Sequence, residues 1–208
     1  DGEYLLHKVT VRPDRSVPRR ERIMAGDVED FIRQTPNRRL LGTNFYLQLH
    51  NMARPGSQRW SSRTLRSLGE APVILDTAMV NSSGESMRAY MNNHGFFNSS
   101  WTYRIDTTRK KAKVTYFIHQ GPYYRIGNTD YIFRDDNLRV IVSRDSVNRL
   151  YSQGDVLDLT VLDAERTRLV NHLKDNGHYQ FSPRDNISYM VDTMAGGRRA
   201  DVTMEIKQ

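Results

Sequence analysis

Hydrophobic positions along the chain follow two alternating periods, and the alternation occurs twice. In the run Met87 to Phe97, residues Met87, Tyr90 and Met91 stand at i, i+3 and i+4, the stripe of an amphipathic helix. The run Leu169 to Tyr179 repeats it, with Leu162, Leu169, Val170 and Leu173 on the apolar side. Each predicted helix stops at a glycine, Gly95 or Gly177, the residue that takes the left-handed closing position at least cost. Ser82 followed by Glu85 reads as a capping box for the first of these helices, and Asp163 as the cap of the second.

The period then switches to two. Trp101–Asp106 and Val114–Gln120 predict one hairpin around a basic turn at 107–113. Ile187–Asp192 and Val202–Gln208 predict another around Ala195-Gly196-Gly197. Both closing strands read Val-Thr-x-x-Ile-x-Gln. Their alternation sets Val114, Tyr116 and Ile118, and likewise Val202, Met204 and Ile206, on one face. Opening strands are predicted at Tyr4–Val11 and Tyr123–Phe133, with Gly121-Pro122 as the junction. A further helix follows each: Val28–Gln34, capped by Asp27 and stopped before Pro36, and roughly Arg144–Ser152, stopped at Gly154.

The order is β-α-α-β-β, twice. It predicts an α+β fold of two tandem units, 1–121 and 122–208, each a three-stranded sheet covered on one face by two helices. A long connection at about 38–72, with Gly42, Arg54-Pro55-Gly56 and Ser61-Ser62, distinguishes the first unit and implies additional structure there.

Composition narrows the function classes. The 208 residues carry 38% hydrophobic and 10% aromatic positions, enough for buried cores. No apolar run reaches the ~18–20 residues of a spanning helix. No signal peptide precedes the strand-like Tyr4-Leu5-Leu6, so the chain is expected to be either cytosolic or a mature form. With no cysteine there is no disulfide, thiolate metal site or thiol nucleophile in these residues. The net charge of +7 is uneven: residues 1–121 hold 19 Lys and Arg against 11 Asp and Glu (+8), residues 122–208 hold 12 against 13 (−1). An anionic partner is therefore expected on the first unit.

Arg12, Arg15, Arg19, Arg20 and Arg22 cluster after the first strand, and Arg109, Lys110, Lys111 and Lys113 line a hairpin turn. Such residues suit phosphates, which keeps a basic nucleic-acid- or anion-binding module of a soluble protein as the alternative function. Against it, Tyr103, Tyr116 and Phe117 follow the strand pleat, and no RNA-binding motif accompanies them. Catalysis has no support either: nucleophile elbow, phosphate loop, dinucleotide fingerprint and His-Glu-x-x-His are all missing, and the six histidines lack ligand spacing. His94 reads as a helix-end cap, and Asp135, Asp136, Asp155 and Asp158 as loop acids. No catalytic residue, metal or cofactor is expected.

The β-α-α-β-β order, the glycine-aromatic step after the second helix and the run Gly121-Pro122-Tyr123-Tyr124-Arg125-Ile126-Gly127-Asn128 resemble POTRA domains. These are the polypeptide-transport-associated modules of the BamA/TamA superfamily of outer-membrane assembly proteins. Gly2-Glu3-Tyr4-Leu5-Leu6, Gln34-Thr35-Pro36-Asn37, Leu41-Gly42 and Gly69-Glu70-Ala71-Pro72-Val73 most resemble the TamA-like (TamL-type) lipoproteins of Bacteroidetes. The resemblance implies a non-catalytic periplasmic scaffold tethered to the outer membrane, lipidated at an upstream cysteine and followed by further modules and a membrane barrel of the same chain. It also implies unfolded outer-membrane clients, TamB-like or accessory periplasmic partners and anionic lipid headgroups, with no nucleic acid. On the family's sheet order the first strand of each hairpin lies on an edge. Tyr103, Arg104 and Ile105, and Ile187, Tyr189 and Val191, are then the candidate strand-addition residues.

Overall fold

The computed structural model describes residues 3–37 and 69–207, together with Gln48 and Met52. Most of the connection expected at 38–72, the Leu41-Gly42 mark and Gln208 lie outside these residues. Contacts divide the chain into two compact units, residues 1–89 with 100–120 and residues 90–99 with 121–208.

The first unit contains β1 (Leu5–Arg12), α1 (Ala25–Glu29), most of α2 (Thr77–Asn93), β2 (Ser100–Thr108) and β3 (Lys111–His119). Its sheet runs β1-β3-β2, with β3 parallel to β1 and antiparallel to β2. The second unit repeats the plan with β4 (Arg125–Phe133), α3 (Asp136–Arg144), α4 (Leu159–Asp175), β5 (Ile187–Asp192) and β6 (Arg199–Ile206), in the order β4-β6-β5. The closing strand of each hairpin is thus central, and its alternating residues form the core floor. Val114, Tyr116 and Ile118 are buried, as are Val80 and Met87 of α2; Val202, Met204 and Ile206 share one core cluster with Leu138, Leu162 and Leu169.

Outside residues 38–68 each unit has two α-helices, but none has the expected bounds and each starts earlier in the chain. Asp76, not Ser82, caps α2 by accepting the Ala78 N–H at 2.8 Å. Ser82 lies inside the helix, because the apolar stripe reaches back to buried Val80. Asp158, not Asp163, caps α4 through the Thr160 N–H at 2.8 Å, since Leu162 already belongs to the core. Asp163 instead pairs with Arg166 one turn on, at 2.8 Å.

In α1, Asp27 is the third helical residue and its carboxylate accepts the Met24 N–H at 2.8 Å. The helix ends at Glu29, and Gln34 bridges to the strand-like segment before α2, accepting from Asp76 N (3.1 Å) and donating to Ile74 O (2.6 Å). The helix expected at 144–152 is replaced by α3, capped by Asp135. Its stripe is Leu138 and Val142, and a single turn of 3-10 helix (Ser146–Asn148) follows.

Each opening strand carries one extra residue near its start, between Leu6 and Lys8 in β1 and between Ile126 and Thr129 in β4. The bulge flips the alternation. Leu6 and Val11, five apart, are therefore both buried. In β4 the Asp201 carboxylate enters the bulge, accepting the Asn128 N–H at 2.7 Å. Gln120, fully buried, ends β3 by clamping the 21–23 segment: its Oε1 accepts the Ile23 N–H (2.7 Å) and its Nε2 donates to Glu21 O (2.8 Å).

Candidate polypeptide-binding edges

Strands β2 and β5 each lie on a sheet edge. The register determines which of their backbone groups face outward. The β2–β3 hairpin turns through two residues, Arg109 and Lys110, with Thr108 opposite Lys111. The pair flanking a two-residue turn exchanges hydrogen bonds, and bonded and non-bonded pairs then alternate. Residues 100, 102, 104, 106 and 108 therefore bond to β3. Trp101, Tyr103, Ile105 and Thr107 turn their N–H and C=O groups outward.

In β5 the reference is the Lys207 N–H, which donates to Asn186 O at 2.8 Å, immediately beyond the Ile187–Ile206 pair. That places Ile187, Tyr189 and Val191 outward. Among the described residues no backbone hydrogen bond reaches either outer row. The other edges differ. A short strand-like segment bridges the start of β1 through Leu6 N to Val73 O and Leu75 N to Tyr4 O, at 2.7 and 2.8 Å. The start of β4 is bridged equivalently by Ile126 N to Asp155 O and Leu157 N to Tyr124 O, at 2.8 and 2.9 Å.

Side chains along β2 form a ladder on its helix-facing side. Trp101 and Tyr103 stack with centroids 5.9 Å apart, and the indole N–H donates to Glu85 of α2 at 3.3 Å. Hydrogen bonds from Arg88 and Trp101 hold the Glu85 carboxyl below its usual range. Gly84 makes this fit: a Cβ there would collide with the indole ring. Arg104 lies on the opposite face, paired along its own strand with Asp106 at 3.1 Å.

On β5, Ile187 has no exposed surface, backbone included, so the accessible part of the outward row is Tyr189 and Val191. The Tyr189 ring lies under the Arg166 guanidinium, 5.4 Å away. Burial first, and the nearby Asp163 carboxylate second, raise its phenol above the ordinary value. Neither edge contains proline, a bulge or an inward charge, the common devices against pairing.

The basic candidates do not converge. Arg12 pairs with Phe117 and Lys111 with Leu5, so the two clusters sit at opposite ends of the first sheet, ~20 Å apart at strand rise. Arg12 extends over the Phe117 ring, 5.7 Å from its centroid. Arg15, Arg19 and Arg20 are exposed on the segment after β1. Arg22 is consumed locally, donating to Val17 O at 2.7 Å. Arg109 and Lys110 form the turn itself with φ of 48° and 59°, a left-handed pair made without glycine.

A polar cluster that the sequence did not single out holds the 145–150 segment onto α4. Glu165, with no exposed surface, accepts from Arg168 Nε and Nη2 (2.8 and 2.9 Å) and from the Leu150 N–H (3.1 Å). Arg168 also pairs with Asp145. The i, i+3 spacing of Glu165 and Arg168 was visible in the sequence, but its burial was not. Among the described residues no three His, Asp or Glu side chains are grouped to hold a metal ion, and no helix is long and apolar enough to cross a membrane.

No protein-family model and no curated protein matches the chain. Among solved structures it is similar to BamA from Haemophilus ducreyi lacking POTRA domains 1–3, at 12% identity and a TM-score of 0.41, over 67% of this chain and 25% of that one. It is also similar to POTRA3-5 of Haemophilus influenzae BamA, at 11% identity and a TM-score of 0.37, over 99% and 96% of the two chains. A third is POTRA1-3 of a periplasmic domain from Anabaena, at 10% identity and a TM-score of 0.32, over 100% and 96%.

Proposed function

We propose that this chain is a pair of POTRA-type units that receives extended polypeptides by adding them as a fourth strand to β2 or β5. The observation that carries the reading is the outward row at Trp101, Tyr103, Ile105 and Thr107, unpaired among the described residues and flanked by an aromatic ladder. Backbone pairing accepts many sequences, while pockets for alternate side chains select apolar-polar alternation. A client with that alternation is a strand destined for a membrane β-barrel. The doubled β-α-α-β-β plan and the family marks support placing the units in the periplasm, before the barrel of an outer-membrane assembly or translocation factor. The TamA-like assignment, an upstream lipid anchor, TamB-like or accessory partners and contact of the basic ends with anionic headgroups belong to the same proposal. No step requires a cofactor or a covalent intermediate.

Proline tests the edges directly, because the affected N–H groups carry no ladder bond and their loss leaves the sheet paired. Ile105→Pro is expected to weaken binding of an alternating apolar-polar barrel-strand peptide at least tenfold, as read by fluorescence anisotropy. Ile105→Ala, which keeps the donor, should bind within about twofold of the parent. On β5 the substitution belongs at Val191, since proline at fully buried Ile187 would open the core. Equal affinity for Ile105→Pro, Val191→Pro and the parent would refute strand addition.

A further inference from the structure

Each sheet turns one face to its core and the other away from it, and these outer faces carry opposite charge. The closing strands align position for position, Lys113, Thr115 and Phe117 with Asp201, Thr203 and Glu205, and the registers carry the match to both neighbouring strands. Over these three rows the first outer face holds four cations, Lys8, Arg12, Arg104 and Lys113, and one anion, Asp106, for a net +3. The second holds four anions, Asp130, Asp192, Asp201 and Glu205, and no cation, for a net −4.

These charges are not balanced within their own sheets. Lys8 lies directly opposite Lys113, and Asp192 directly opposite Asp201, on the same row of the two sheets. Like charges in such pairs repel and cost stability. Asp106, on the other side of Lys113, is taken by Arg104 at 3.1 Å. Among the described residues Lys8, Lys113, Asp130, Asp192 and Asp201 have no ion-pair partner, whereas Glu205 is paired at the border with Arg134 (2.8 Å) and Lys207 (3.0 Å). Lys8, Arg12, Asp130 and Asp192 are exposed, as are Ile132 (45%) and Met190 (59%) beside the acids.

We infer that the outer face of the first sheet in one copy of this chain binds the outer face of the second sheet in another copy. An acidic peptide would answer the first face and leave the Asp192–Asp201 pair unrelieved; a second copy answers both. At ordinary strand spacing and rise each face covers about 300 Å², so the two together bury roughly 600 Å². That is about half of what a stable interface needs, so the contact is weak and screened by salt. It is also heterologous, so a pair of copies keeps one unused face of each kind. The inference uses the sheet faces and is independent of what the edges of β2 and β5 bind.

The test is analytical sedimentation of the whole chain in low salt, alongside two variants altered at exposed positions and checked as folded by circular dichroism. Lys8→Glu with Arg12→Glu takes the first face from +3 to −1. Asp130→Lys with Ile132→Lys and Met190→Lys takes the second from −4 to zero. The mean mass of the parent is expected to rise with concentration and to return to that of the monomer in molar salt, with amide NMR shifts on both outer faces together. Each variant alone should stay monomeric, having lost one of the two faces. Mixed, they should form a one-to-one complex that grows no further, because each supplies the face that the other lacks. A parent that stays monomeric up to millimolar concentration in low salt, variants that associate as the parent does, or a mixture that stays monomeric would overturn the inference. Polyglutamate that shifts first-face amides of a parent showing no self-association would overturn it too, and would give that face to an acidic polypeptide.

Discussion

Replacing Gly84 by alanine tests how the edge strand is held. Gly84 sits in the interior of α2, where glycine costs about 1 kcal/mol relative to alanine, so an isolated helix would gain by the change. The structure opposes that gain. A methyl group at Gly84 would overlap several ring atoms of Trp101, which is held between the Tyr103 stack, the Tyr116 ring at 6.3 Å and the Glu85 hydrogen bond. Backbone cannot yield on the helix side, so the indole must leave its place. Overpacking of this kind costs about 1–3 kcal/mol, and the lost indole hydrogen bond about a further 1 kcal/mol. Set against the helix gain, Gly84→Ala should destabilise the first unit by about 1–3 kcal/mol, or roughly 4–12 °C in its melting temperature for a unit of this size. Thermal unfolding followed by circular dichroism measures the loss, and a shift in tryptophan emission reports the displaced ring. In a Trp101→Leu background the penalty should vanish and the helix gain should emerge, so the same substitution becomes neutral or stabilising. A rise in melting temperature for Gly84→Ala in the parent would refute the packing argument.

Three further outcomes follow from the geometry. Glu165→Ala takes from Arg168 one of its two carboxylate partners and leaves the Leu150 N–H unpaired, and should cost about 1–3 kcal/mol in urea unfolding of the second unit. Arg109→Asn combined with Lys110→Gly relieves two left-handed non-glycine residues and should raise the stability of the first unit by about 1–2 kcal/mol, measured by thermal melting. For Asp158, burial alone would raise the carboxyl, but hydrogen bonds from Thr160 and His94 outweigh it and hold it below the ordinary range. A depressed folded value stabilises above the unfolded pKa of about 3.9 and is lost as the pH falls through the folded value. Asp158→Asn should therefore flatten the acid limb of the stability–pH curve below about pH 4, with little change in its slope near neutrality.

The hairpins and the glycine stops were legible in the sequence because each depends on a local pattern. Period-two alternation runs unbroken through β6 and, but for buried Thr115, through β3, and left-handed closure singles out Gly95 and Gly177. Helix starts were not, because a Ser-x-x-Glu spacing is equally at home inside a helix; only the depth of Val80 and Leu162 reveals that the stripe begins a turn earlier. The bulges at Leu6/Lys8 and Ile126/Thr129 escaped notice since one extra residue reverses the alternation without any breaker residue in β1. At the candidate edges the order of strands was expected from the family resemblance and not from the residues themselves, and the outward row includes Tyr103, Ile105, Ile187, Tyr189 and Val191 but not Arg104, whose backbone bonds to β3. What sequence position could not show is that Ile187 is fully buried, that Arg104 pairs along its own strand with Asp106, and that the two basic clusters occupy opposite ends of one strand pair.

Strand addition is tested most directly by residue-resolved hydrogen exchange of the chain with and without a saturating barrel-strand peptide. On β2, slowed exchange is predicted at the outward amides of Trp101, Tyr103, Ile105 and Thr107, while Thr102, Arg104 and Asp106, already bonded to β3, stay as they were. Protection without that alternation, or confined to residues away from β2 and β5, would contradict it.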